Sequence, residues 1–553
     1  MSRYILDIET NTSFDTIWLA VTKDIDTGEI ICHTEASSLK SLVTATDTII
    51  GHNVISFDAP ILNRLWNMKI RSSQVEDTLV MSRLANPVRE NGHSLDAWGK
   101  RLGFHKIEFS DYNGGLTPEM QEYCIRDVEV TELVYKHLQK ELEGFDKKSI
   151  DIEHKVQAII SKQERHGFRF DIIKATKLNN QLTDRMNEIL TELQSVFPPI
   201  VEERYSEKTG KRLKDSVTVF NPASRQQIAD RLMKLGWKPK KHTDKGSVIV
   251  DESVLEGVNI PEAKLIAEYL MLQKRISQLA QWFDNCKANG RVYGKVITLG
   301  AITGRMSHHS PNMAQIPNSG SPYGHECREL WTVDDGNVLV GADASGLELR
   351  MLAHYMQDSN YTKAVIDGKS EDGTDIHTVN QKAAGLDTRN QAKTFIYAFL
   401  YGAGSTKIGS IVGGNAQKGQ QLIDKFLQNT PALKKLKEKV ADAAEKGWLR
   451  GLDGRKLWVR SAHAALNTLL QGAGAIVMKQ ALILLHDELL RGKIPANFCA
   501  NVHDEWQIET KPEYADVVGR LAVDSIKKAG EVLGLRCPLD GEYKIGTTWK
   551  MTH

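Results

Sequence analysis

At 553 residues the chain is too long for a single hydrophobic core, and we expect it to divide into two or more domains. Its composition is that of an ordinary soluble globular protein, with no N-terminal signal pattern and no apolar run predicted to be long enough to cross a bilayer, so the expected location is the cytoplasm and no membrane partner is expected. The net charge of +1 does not by itself indicate a nucleic-acid partner, and the six scattered cysteines without a CxxC pair argue against a zinc site or a disulfide framework.

The first predicted element is a buried strand, Tyr4–Glu9, that carries acids. Asp7 and Glu9 are two residues apart, so on a strand both side chains point to the same face. Two acids on one face of an apolar strand repel each other unless a cation lies between them. For this pair alone, a strand end with solvated acids is the simpler interpretation.

Two later segments carry further acids. A helix is predicted to begin at Asp58, and a long amphipathic helix is predicted from Thr117, as its N-cap, to about Glu143. Tyr123 and Asp127 are four residues apart and therefore share one face of that helix. Taken singly, Asp58 is more simply an N-cap and Tyr123 a core aromatic.

The three segments together have a specific order: Asp-x-Glu, then Asn-(x)4-Asp ending at Asp58, then Tyr-(x)3-Asp. This order resembles the DEDD-type 3′-5′ exonucleases of the tyrosine subclass, over roughly the first 140 residues. The resemblance implies an RNase H-like fold in which Tyr123 orients the attacking water and four carboxylates hold two Mg²⁺ ions: Asp7, Glu9, Asp58 and Asp127. Two such ions about 3.5–4 Å apart activate a hydroxide and stabilise the leaving oxygen, and Mg²⁺ prefers carboxylate oxygens.

The middle of the chain is predicted to be largely helical. The charged stretch 141–148 suits a domain boundary, and a helical region is predicted from Ile152 to about Phe197. The polar segment 198–217 is expected to form an exposed loop or hairpin. Ala263–Trp282 again has a strongly helical pattern, and strands then alternate with helices as far as Trp549.

A second set of acids lies in the C-terminal half. The apolar run Val338–Asp343 predicts a strand that ends in an acid, and a helix is predicted from Leu347 after a turn. Phe498–Val502 and Trp506–Glu509 predict a hairpin with His503-Asp504-Glu505 at its turn. Acids in tight turns are common without a metal, so each of these segments is a weak signal alone.

A third segment lies between them. Arg389, Lys393, Tyr397 and Tyr401 recur every four residues and line one face of a predicted helix, with Gly402 as a natural C-cap. Two cations one turn apart suit a triphosphate, and two aromatic rings suit a base and a sugar. A surface stripe of snorkelling side chains is the alternative.

These three segments resemble motifs A, B and C of the family A DNA polymerases. The resemblance extends from about residue 150 onward and is strengthened by four further features: Thr303–Arg305, Pro311–Pro317, Asp375–His377, and the pair Asn467 and Gln471. The likeness is strongest to the replicative polymerases of short-tailed, T-seven-like phages, and it is carried by Asp343–Arg350, Ala392–Tyr397, Ser321–Gly324 and His463–Gln471.

The resemblance implies DNA-templated DNA synthesis with two Mg²⁺ ions, for which Mn²⁺ can substitute. The implied metal ligands are Asp343, Ala344 and Asp504, with Glu505 as an auxiliary acid. The implied nucleotide-binding residues are Arg389, Lys393, Tyr397, Tyr401, His377, Ala344 and Glu348, of which Glu348 would reject a ribose 2′-hydroxyl. The implied primer-template contacts are Arg305, Asn312, Gln315, Asn467, Gln471 and His503.

The fold class is therefore expected to be α/β, in several α+β domains, with a right-hand polymerase after the exonuclease. The expected domains are an exonuclease (1–145), the thumb with the N-terminal part of the polymerase (150–292), the first part of the palm (293–352), the fingers (353–479) and the second part of the palm (480–553). The expected partners of a monomeric chain are primer-template DNA, dNTPs, a phage helicase-primase and a single-strand binding protein.

Thioredoxin is not expected as a partner, because segment 198–217 matches a much longer thumb insertion of the T-seven-like polymerases. Three basic residues of this segment, Lys208, Lys211 and Arg212, could contact DNA phosphates instead. A solvated loop is an equally good interpretation of the same residues.

Three other functions stay open at this point. A single-subunit RNA polymerase also uses two palm aspartates and a Lys–Tyr helix, but Glu348 and the N-terminal acids argue against it. A nuclease with a decayed polymerase half, or a non-catalytic scaffold subunit, should have lost carboxylates. The acids of both sets are all present.

Overall fold

The computed structural model describes residues 2–239, 242–243 and 245–553. The N-terminal strands form one five-stranded sheet in the order β3-β2-β1-β4-β5, and the strands are β1 (Arg3–Thr10), β2 (Ile17–Asp24), β3 (Ile30–His33), β4 (Thr48–Gly51) and β5 (Val75–Asp77). The helices around it are α1 (Ala36–Leu42), α2 (Asp58–Leu65), α3 (Thr78–Ala85), α4 (Leu95–Leu102) and α5 (Pro118–Glu141).

Strand β1 is the centre of this sheet. It pairs antiparallel with β2 and parallel with β4, and Ile5 and Leu6 are almost fully buried on its two faces. The long helix α5 packs against β1. The Thr117 hydroxyl accepts a hydrogen bond from the Met120 N–H, which confirms the predicted N-cap.

The next part of the chain is mainly helical and includes one exposed hairpin. Its elements are α6 (Lys147–His166), β6 (Phe168–Phe170), α7 (Ile172–Val196), β7 (Ile200–Tyr205), β8 (Arg212–Thr218), α8 (Arg225–Lys234), α9 (Glu252–Glu256) and α10 (Pro261–Asn285). Strands β7 and β8 pair antiparallel, and their side chains are mostly exposed, so the predicted hairpin is confirmed.

The prediction of continuous helix from 152 to about 197 was wrong at one point. Helix α6 ends at Gly167, whose φ of 69° favours glycine, and strand β6 follows. Phe168 and Phe170 of β6 are buried against Trp331, with ring centroids 5.5 and 5.1 Å away. This strand is three residues long and is fixed by packing with distant residues, which periodicity within the segment does not reveal.

The C-terminal part contains a four-stranded antiparallel sheet in the order β16-β17-β13-β18. The strands of this part are β9 (Arg291–Val292), β10 (Lys295–Ile297), β11 (Ser307–His309), β12 (Trp331–Thr332), β13 (Val338–Ala344), β14 (Trp448–Arg450), β15 (Lys456–Trp458), β16 (Ala496–Val502), β17 (Glu505–Thr510) and β18 (Gly541–Gly546). The predicted strand that ends in Asp343 and the predicted hairpin around Asp504 are both confirmed.

The helices of this part surround the sheet and extend away from it. They are α11 (Gly324–Glu329), α12 (Leu347–Met356), α13 (Ser359–Ile366), α14 (Ile376–Ala384), α15 (Arg389–Leu400), α16 (Ser405–Ser410), α17 (Ala416–Asn429), α18 (Pro431–Ala443), α19 (Ala465–Arg491) and α20 (Ala515–Val532). Helix α12 begins where the sequence predicts it, after Gly346 with a φ of 59°.

Helix α19 corrects the expectation that no apolar run is long enough to cross a bilayer. The segment Ala462–Arg491 has the length and hydropathy of a membrane span, but 78% of its most apolar window is buried inside the protein. It packs on α6, α12 and α20. Its apolar character is therefore explained by its position in the core.

A buried ionic network joins α6 to α19. Glu153 accepts from Lys479 Nζ at 2.7 Å and pairs with Arg455 Nη1 at 2.6 Å, and Arg455 also pairs with Asp453. All four side chains are at most 2% exposed. Removing one partner of such a network leaves a buried charge uncompensated, at a cost of about 3–5 kcal/mol, so the network fixes α6 against the helix that lines the C-terminal cavity.

Candidate active sites

The N-terminal acids lie around one cavity of about 400 Å³. Asp7 and Glu9 line it from β1, and Tyr123 and Asp127 line it from α5. Asp58 lies behind them, 2% exposed, and its Oδ1 accepts a hydrogen bond from the Ile8 N–H at 3.1 Å. The simpler reading of Asp58 as an N-cap is therefore wrong, because Phe57 holds that position and Asp58 bonds to β1 instead.

Burial and mutual repulsion make this cluster hard to ionise. Burial, with repulsion from Asp127, raises the pKa of Glu9 to about 8, and burial raises the pKa of Asp58 to about 7. The pKa of Asp7 is raised well above its usual range by burial and then by the charges of Asp58 and Asp127. The cluster is thus electrostatically strained when no cation is bound.

Two residues that the sequence did not single out contact this cluster. Lys106 Nζ lies 2.5 Å from Asp127 Oδ2 and donates to the Tyr123 hydroxyl at 3.1 Å. Cys124 Sγ lies 3.5 Å from Asp7 Oδ2. Lys106 falls in a segment without periodic pattern, and Cys124 has no spacing to another cysteine, so no local signal pointed to either.

The C-terminal acids meet at one end of the two central strands of the four-stranded sheet. Asp343 lies near the end of β13, with Glu505 opposite it on β17, and the Ala344 N–H donates to the Asp504 carbonyl oxygen at 3.1 Å. Asp504 follows His503, whose φ of 57° gives the hairpin a tight turn. The two distant segments are therefore brought together, as the family resemblance implies.

The pKa values of both aspartates are raised. Burial, followed by repulsion from Asp504 and Glu505, raises the pKa of Asp343 to about 8. Burial, followed by repulsion from Glu348, raises the pKa of Asp504 to about 6. Neither aspartate forms an ion pair with any residue that the structure describes.

A cavity of about 280 Å³ adjoins Asp504 and is also lined by Arg305, Glu348, Tyr401 and His503. Glu348 Oε1 accepts hydrogen bonds from the Tyr401 hydroxyl at 3.0 Å and from Arg305 Nη2 at 3.2 Å. Glu348 is therefore fixed across the cavity by groups from two other segments.

Helix α15 carries the predicted basic and aromatic face. Arg389 pairs with Asp375 at 2.9 Å, whereas Lys393 is exposed and has no ion pair within the described part of the chain. Burial opposes ionisation of Asp375, but hydrogen bonds from Arg389 and Thr378 outweigh it and lower its pKa to about 2. Arg389 is thus oriented before any ligand binds.

The aromatic end of this face lies at the end of α15. The Tyr397 and Tyr401 rings stack with centroids 6.4 Å apart, and the His377 ring lies 6.1 Å from that of Tyr397. Tyr401 is the C-cap, and Gly402, with a φ of 76°, follows it. The Gly402 N–H donates to the Phe399 carbonyl oxygen, so this left-handed glycine ends the helix as predicted.

The residues predicted to contact a primer-template are distributed around the acids. Gln315 and His503 line a second cavity of about 400 Å³ together with Asp343 and Asp504. Asn467 and Gln471 are half-buried on α19, one turn apart, in the turns before the part of α19 that lines the Glu348 cavity. Asn312 also caps a short turn, because its Oδ1 accepts from the Ala314 N–H at 3.1 Å.

Glu505 is held by residues that the sequence did not single out. Gln507 and the Trp549 indole donate hydrogen bonds to its Oε1, and His553 Nδ1 lies 2.9 Å from its Oε2. Burial opposes ionisation, but the hydrogen bond from His553 helps to lower the pKa of Glu505 below its usual value. These partners are up to 48 residues away in the chain, so local patterns could not reveal them.

Comparison with known proteins gives concordant results. The sequence model "DNA polymerase family A" matches residues 187–551. The DNA-directed DNA polymerase of Escherichia phage T7 is 33% identical, over 99% of this chain and 100% of its own length. The DNA-directed DNA polymerase of Enterobacteria phage T3 is 34% identical, over 93% of this chain and 94% of its own length. DNA polymerase I of Aquifex aeolicus is 26% identical, over 98% of this chain and 95% of its own length. Among solved structures, the POL domain of Pol1 from M. smegmatis in complex with DNA primer-template and dNTP has a similar fold, with a TM-score of 0.81 at 18% identity over 99% of this chain and 95% of that one.

Proposed function

The chain belongs to DNA polymerase family A, and from this premise we propose that it joins two activities. The C-terminal part extends a primer on a DNA template by a two-metal mechanism, and the N-terminal part removes 3′-terminal nucleotides as a proofreading exonuclease. In this proposal residues 1–145 form the exonuclease, 150–292 the thumb, 293–352 and 480–553 the palm, and 353–479 the fingers.

The observation that carries the proposal is the presence of two separate sets of clustered acids, each buried or half-buried. Asp7, Glu9, Asp58 and Asp127 form one set, and their pKa values are raised. Asp343 and Asp504 form the other, also with raised pKa values. Buried carboxylates that repel one another cost stability, so their presence in two cavities supports a role in binding cations at both.

The donor groups fit Mg²⁺. Both sets consist of carboxylates, to which the Ala344 carbonyl adds one oxygen, and hard cations prefer oxygen ligands. The buried Asp127 Oδ1 has no hydrogen-bond partner among the described residues and is free to bind a cation. When bound, paired divalent ions lower the pKa of the attacking oxygen and stabilise the charge on the leaving oxygen.

For DNA synthesis, residues of α15 and its surroundings bind the incoming nucleotide. The exposed Lys393 and the pre-oriented Arg389 bind the triphosphate, with His377 beside them. Tyr397 packs against the sugar and Tyr401 lies near the templating base. Glu348, held by Tyr401 and Arg305, occupies the space that a 2′-hydroxyl would need.

The primer-template is held by polar side chains near the palm acids. We assign this role to Arg305, Asn312, Gln315, Asn467, Gln471 and His503. Minor-groove acceptors are similar for all base pairs, so these contacts test pairing geometry without reading sequence. We assign Glu505 an auxiliary role, because its carboxylate is already bonded to Gln507, Trp549 and His553.

For exonucleolysis, Tyr123 orients the attacking water. Its hydroxyl accepts a hydrogen bond from Lys106 at 3.1 Å and also hydrogen-bonds Asp127, so it is fixed between a cation and a proposed metal ligand. Lys106 also offsets part of the negative charge beside Asp127. The Lys106 ammonium group therefore preorganises the exonuclease site.

The similarity to phage polymerases suggests a role in phage genome replication in the bacterial cytoplasm. Partners would then be a helicase-primase and a single-strand binding protein, and the chain would act as a monomer. The hairpin β7–β8 is short, and we do not propose thioredoxin as a partner.

A labelled primer-template tests the proposal directly. With Mg²⁺ and four dNTPs the primer should lengthen to the end of the template, and with Mg²⁺ alone it should shorten from its 3′ end. A chelator should abolish both reactions. Shortening without extension would refute the polymerase assignment, and extension without shortening would refute the exonuclease assignment.

A further inference from the structure

Helix α6 contacts both parts of the chain, namely α3 and β5 on the N-terminal side and α19 and β10 on the other. It carries three buried polar side chains within about one turn: Glu153, His154 and Gln157. Glu153 belongs to the ionic network with Lys479 of α19, which also lines the Glu348 cavity. The roles proposed above use neither His154 nor Gln157.

On the N-terminal side, α6 helps to hold the loop 53–57, which precedes Asp58. His154 Nε2 accepts a hydrogen bond from the Asp77 N–H at 2.8 Å. The buried Asp77 carboxylate in turn accepts hydrogen bonds from two backbone N–H groups of the loop, at 2.9 and 3.0 Å. The first half of the loop is therefore fixed through the β5 end and α6.

Gln157 joins the second half of this loop to the polymerase part of the chain. Its Nε2 donates to Ser56 Oγ at 2.9 Å, two residues before Asp58, and its Oε1 accepts from Thr298 Oγ1 at 2.9 Å. We call these two hydrogen bonds the Gln157 bridge. Gln157 is 7% exposed and Thr298 is 1% exposed, so the loss of either bond leaves a buried polar group without its partner.

Thr298 leads into the turn that carries Arg305. The Gly300 N–H donates to the Arg305 carbonyl oxygen at 3.1 Å, which closes this turn. Between them in the chain, Leu299 is buried in the same core cluster as Ile5 of β1. The segment that presents Arg305 is thus anchored in the N-terminal part by an apolar side chain and by the Gln157 bridge.

We propose that Gln157 is a positioning residue of the N-terminal site, through which the polymerase part of the chain holds the loop before Asp58. The inference rests on the proposed exonuclease function, in which Asp58 is a metal ligand. Groups that hold a metal ligand from outside set its orientation, so their loss weakens metal binding although they do not touch the ion. Thr298, a residue of the polymerase part, should therefore influence cation binding by the N-terminal acids.

The test measures Mn²⁺ binding to the full chain from the EPR signal of the free ion, in an Asp343→Ala/Asp504→Ala background that removes the palm acids. Gln157→Met keeps the length of the side chain and loses both hydrogen bonds. It should weaken Mn²⁺ binding about threefold to tenfold, less than the about 10–100-fold expected for a direct partner of a ligand.

Ser56→Ala and Thr298→Val each remove one bond of the bridge, and each should weaken Mn²⁺ binding by a smaller factor. Because both act through Gln157, the double variant should lose less than the product of the two single losses. The matched control is Gln163→Met, since Gln163 is also buried on α6 but bonds to neither Ser56 nor Thr298.

A second readout uses intact palm acids and follows the degradation of oligo-dT. Gln157→Met should need more Mg²⁺ for half of its maximal rate, at an unchanged KM for the strand. A side chain that only stabilises the fold would lower the melting temperature without this change in Mg²⁺ dependence.

Wild-type Mn²⁺ affinity in Gln157→Met and Thr298→Val, or an equal loss in Gln163→Met, would overturn the positioning role of Gln157. If Gln157→Met does not fold, Ser56→Ala, Thr298→Val and their double variant decide, and a double loss equal to the product of the single losses contradicts the proposal. Mn²⁺ binding that depends on the bridge in a protein that degrades no DNA would refute the exonuclease and leave the positioning role standing. DNA degradation with Mn²⁺ binding that does not depend on the bridge would do the reverse.

Discussion

The two acid sets differ in how their charge is balanced. In the N-terminal set, Lys106 lies 2.5 Å from Asp127 and offsets part of the repulsion. In the C-terminal set Arg305 pairs with Glu348 at 3.2 Å, and the part of the chain that the structure describes offers no ion pair to Asp343 or Asp504. The first set is therefore partly neutralised by the protein, whereas the second depends on its ligands for charge balance.

This difference has a functional reason in our account. A nucleotide must enter and pyrophosphate must leave the C-terminal site in every cycle, and a permanent cation beside its aspartates would compete with the metal ions that accompany them. Under the proposed exonuclease role, the N-terminal site would act on a strand that stays bound through its backbone. Lys106 can therefore stay beside the N-terminal acids throughout the cycle and orient Tyr123.

Apart from replacement of the acids themselves, the greatest change is expected at Glu348, which pairs with Arg305. Glu348→Ala should lower discrimination against ribonucleotides by about tenfold to a hundredfold, because the space for a 2′-hydroxyl opens. Glu348→Gln keeps the bulk and should keep most of the discrimination. Competition between rNTPs and dNTPs in primer extension measures it, and equal discrimination in all three proteins would contradict the role of Glu348.

Replacement of Lys106, the cationic side chain beside Asp127, should change only the activity of the N-terminal site. Lys106 lowers the pKa values of Asp7, Glu9 and Asp127, so Lys106→Gln should raise them. Since a carboxylate must be ionised to hold a cation, the exonuclease pH–rate profile should move to higher pH, with about a tenfold loss at pH 7 for each pKa unit and recovery near pH 9. Lys106→Arg serves as the control, and an unmoved profile in Lys106→Gln would show that the lysine does not balance the cluster.

A smaller effect is expected on stability. The folded-state pKa of Asp343 is raised to about 8, so folding becomes less favourable as the pH rises from its unfolded value toward 8. Asp343→Asn should therefore raise the melting temperature of the metal-free protein at pH 8 by about 1–3 °C. Addition of Mg²⁺ should then raise the melting temperature of the wild type more than that of the variant. The exposed Asp335→Asn is the control, and a lower midpoint in Asp343→Asn would contradict the charge argument.

The smallest effect is expected in the hairpin β7–β8, far from both acid sets in the chain. Arg212 already pairs with Glu203 and Asp215, whereas Lys208 and Lys211 are exposed. Lys208→Gln/Lys211→Gln should shorten products in single-encounter extension less than about threefold and make processivity less sensitive to salt. Arg212→Gln should have no such effect. A larger loss in Arg212→Gln than in the double variant would reverse this assignment.

Local patterns predicted the elements that carry both acid sets. Strand β1 with Asp7, the cap at Thr117 and the hairpin around Asp504 follow from alternation, capping chemistry and turn residues within short segments. The meeting of these segments in space was inferred from family resemblance. Pattern alone contains no information on which distant segments pack together.

The remaining features depend on long-range packing. Strand β6 is fixed by Trp331, the apolar helix α19 is explained by burial, and Lys106 reaches Asp127 from an irregular segment. Glu505 is bonded to Trp549, which lies 44 residues further along the chain. Such contacts become visible only when the fold brings the partners together.

Two single variants show whether the two acid sets are separate active sites. Asp343→Ala and Asp7→Ala are compared with the wild type on one labelled primer-template, with Mg²⁺, with and without dNTPs. We predict that Asp343→Ala loses extension by about a thousandfold or more and still degrades the 3′ end, and that Asp7→Ala shows the reverse. Loss of both activities in either variant, or of neither in both, would contradict the account.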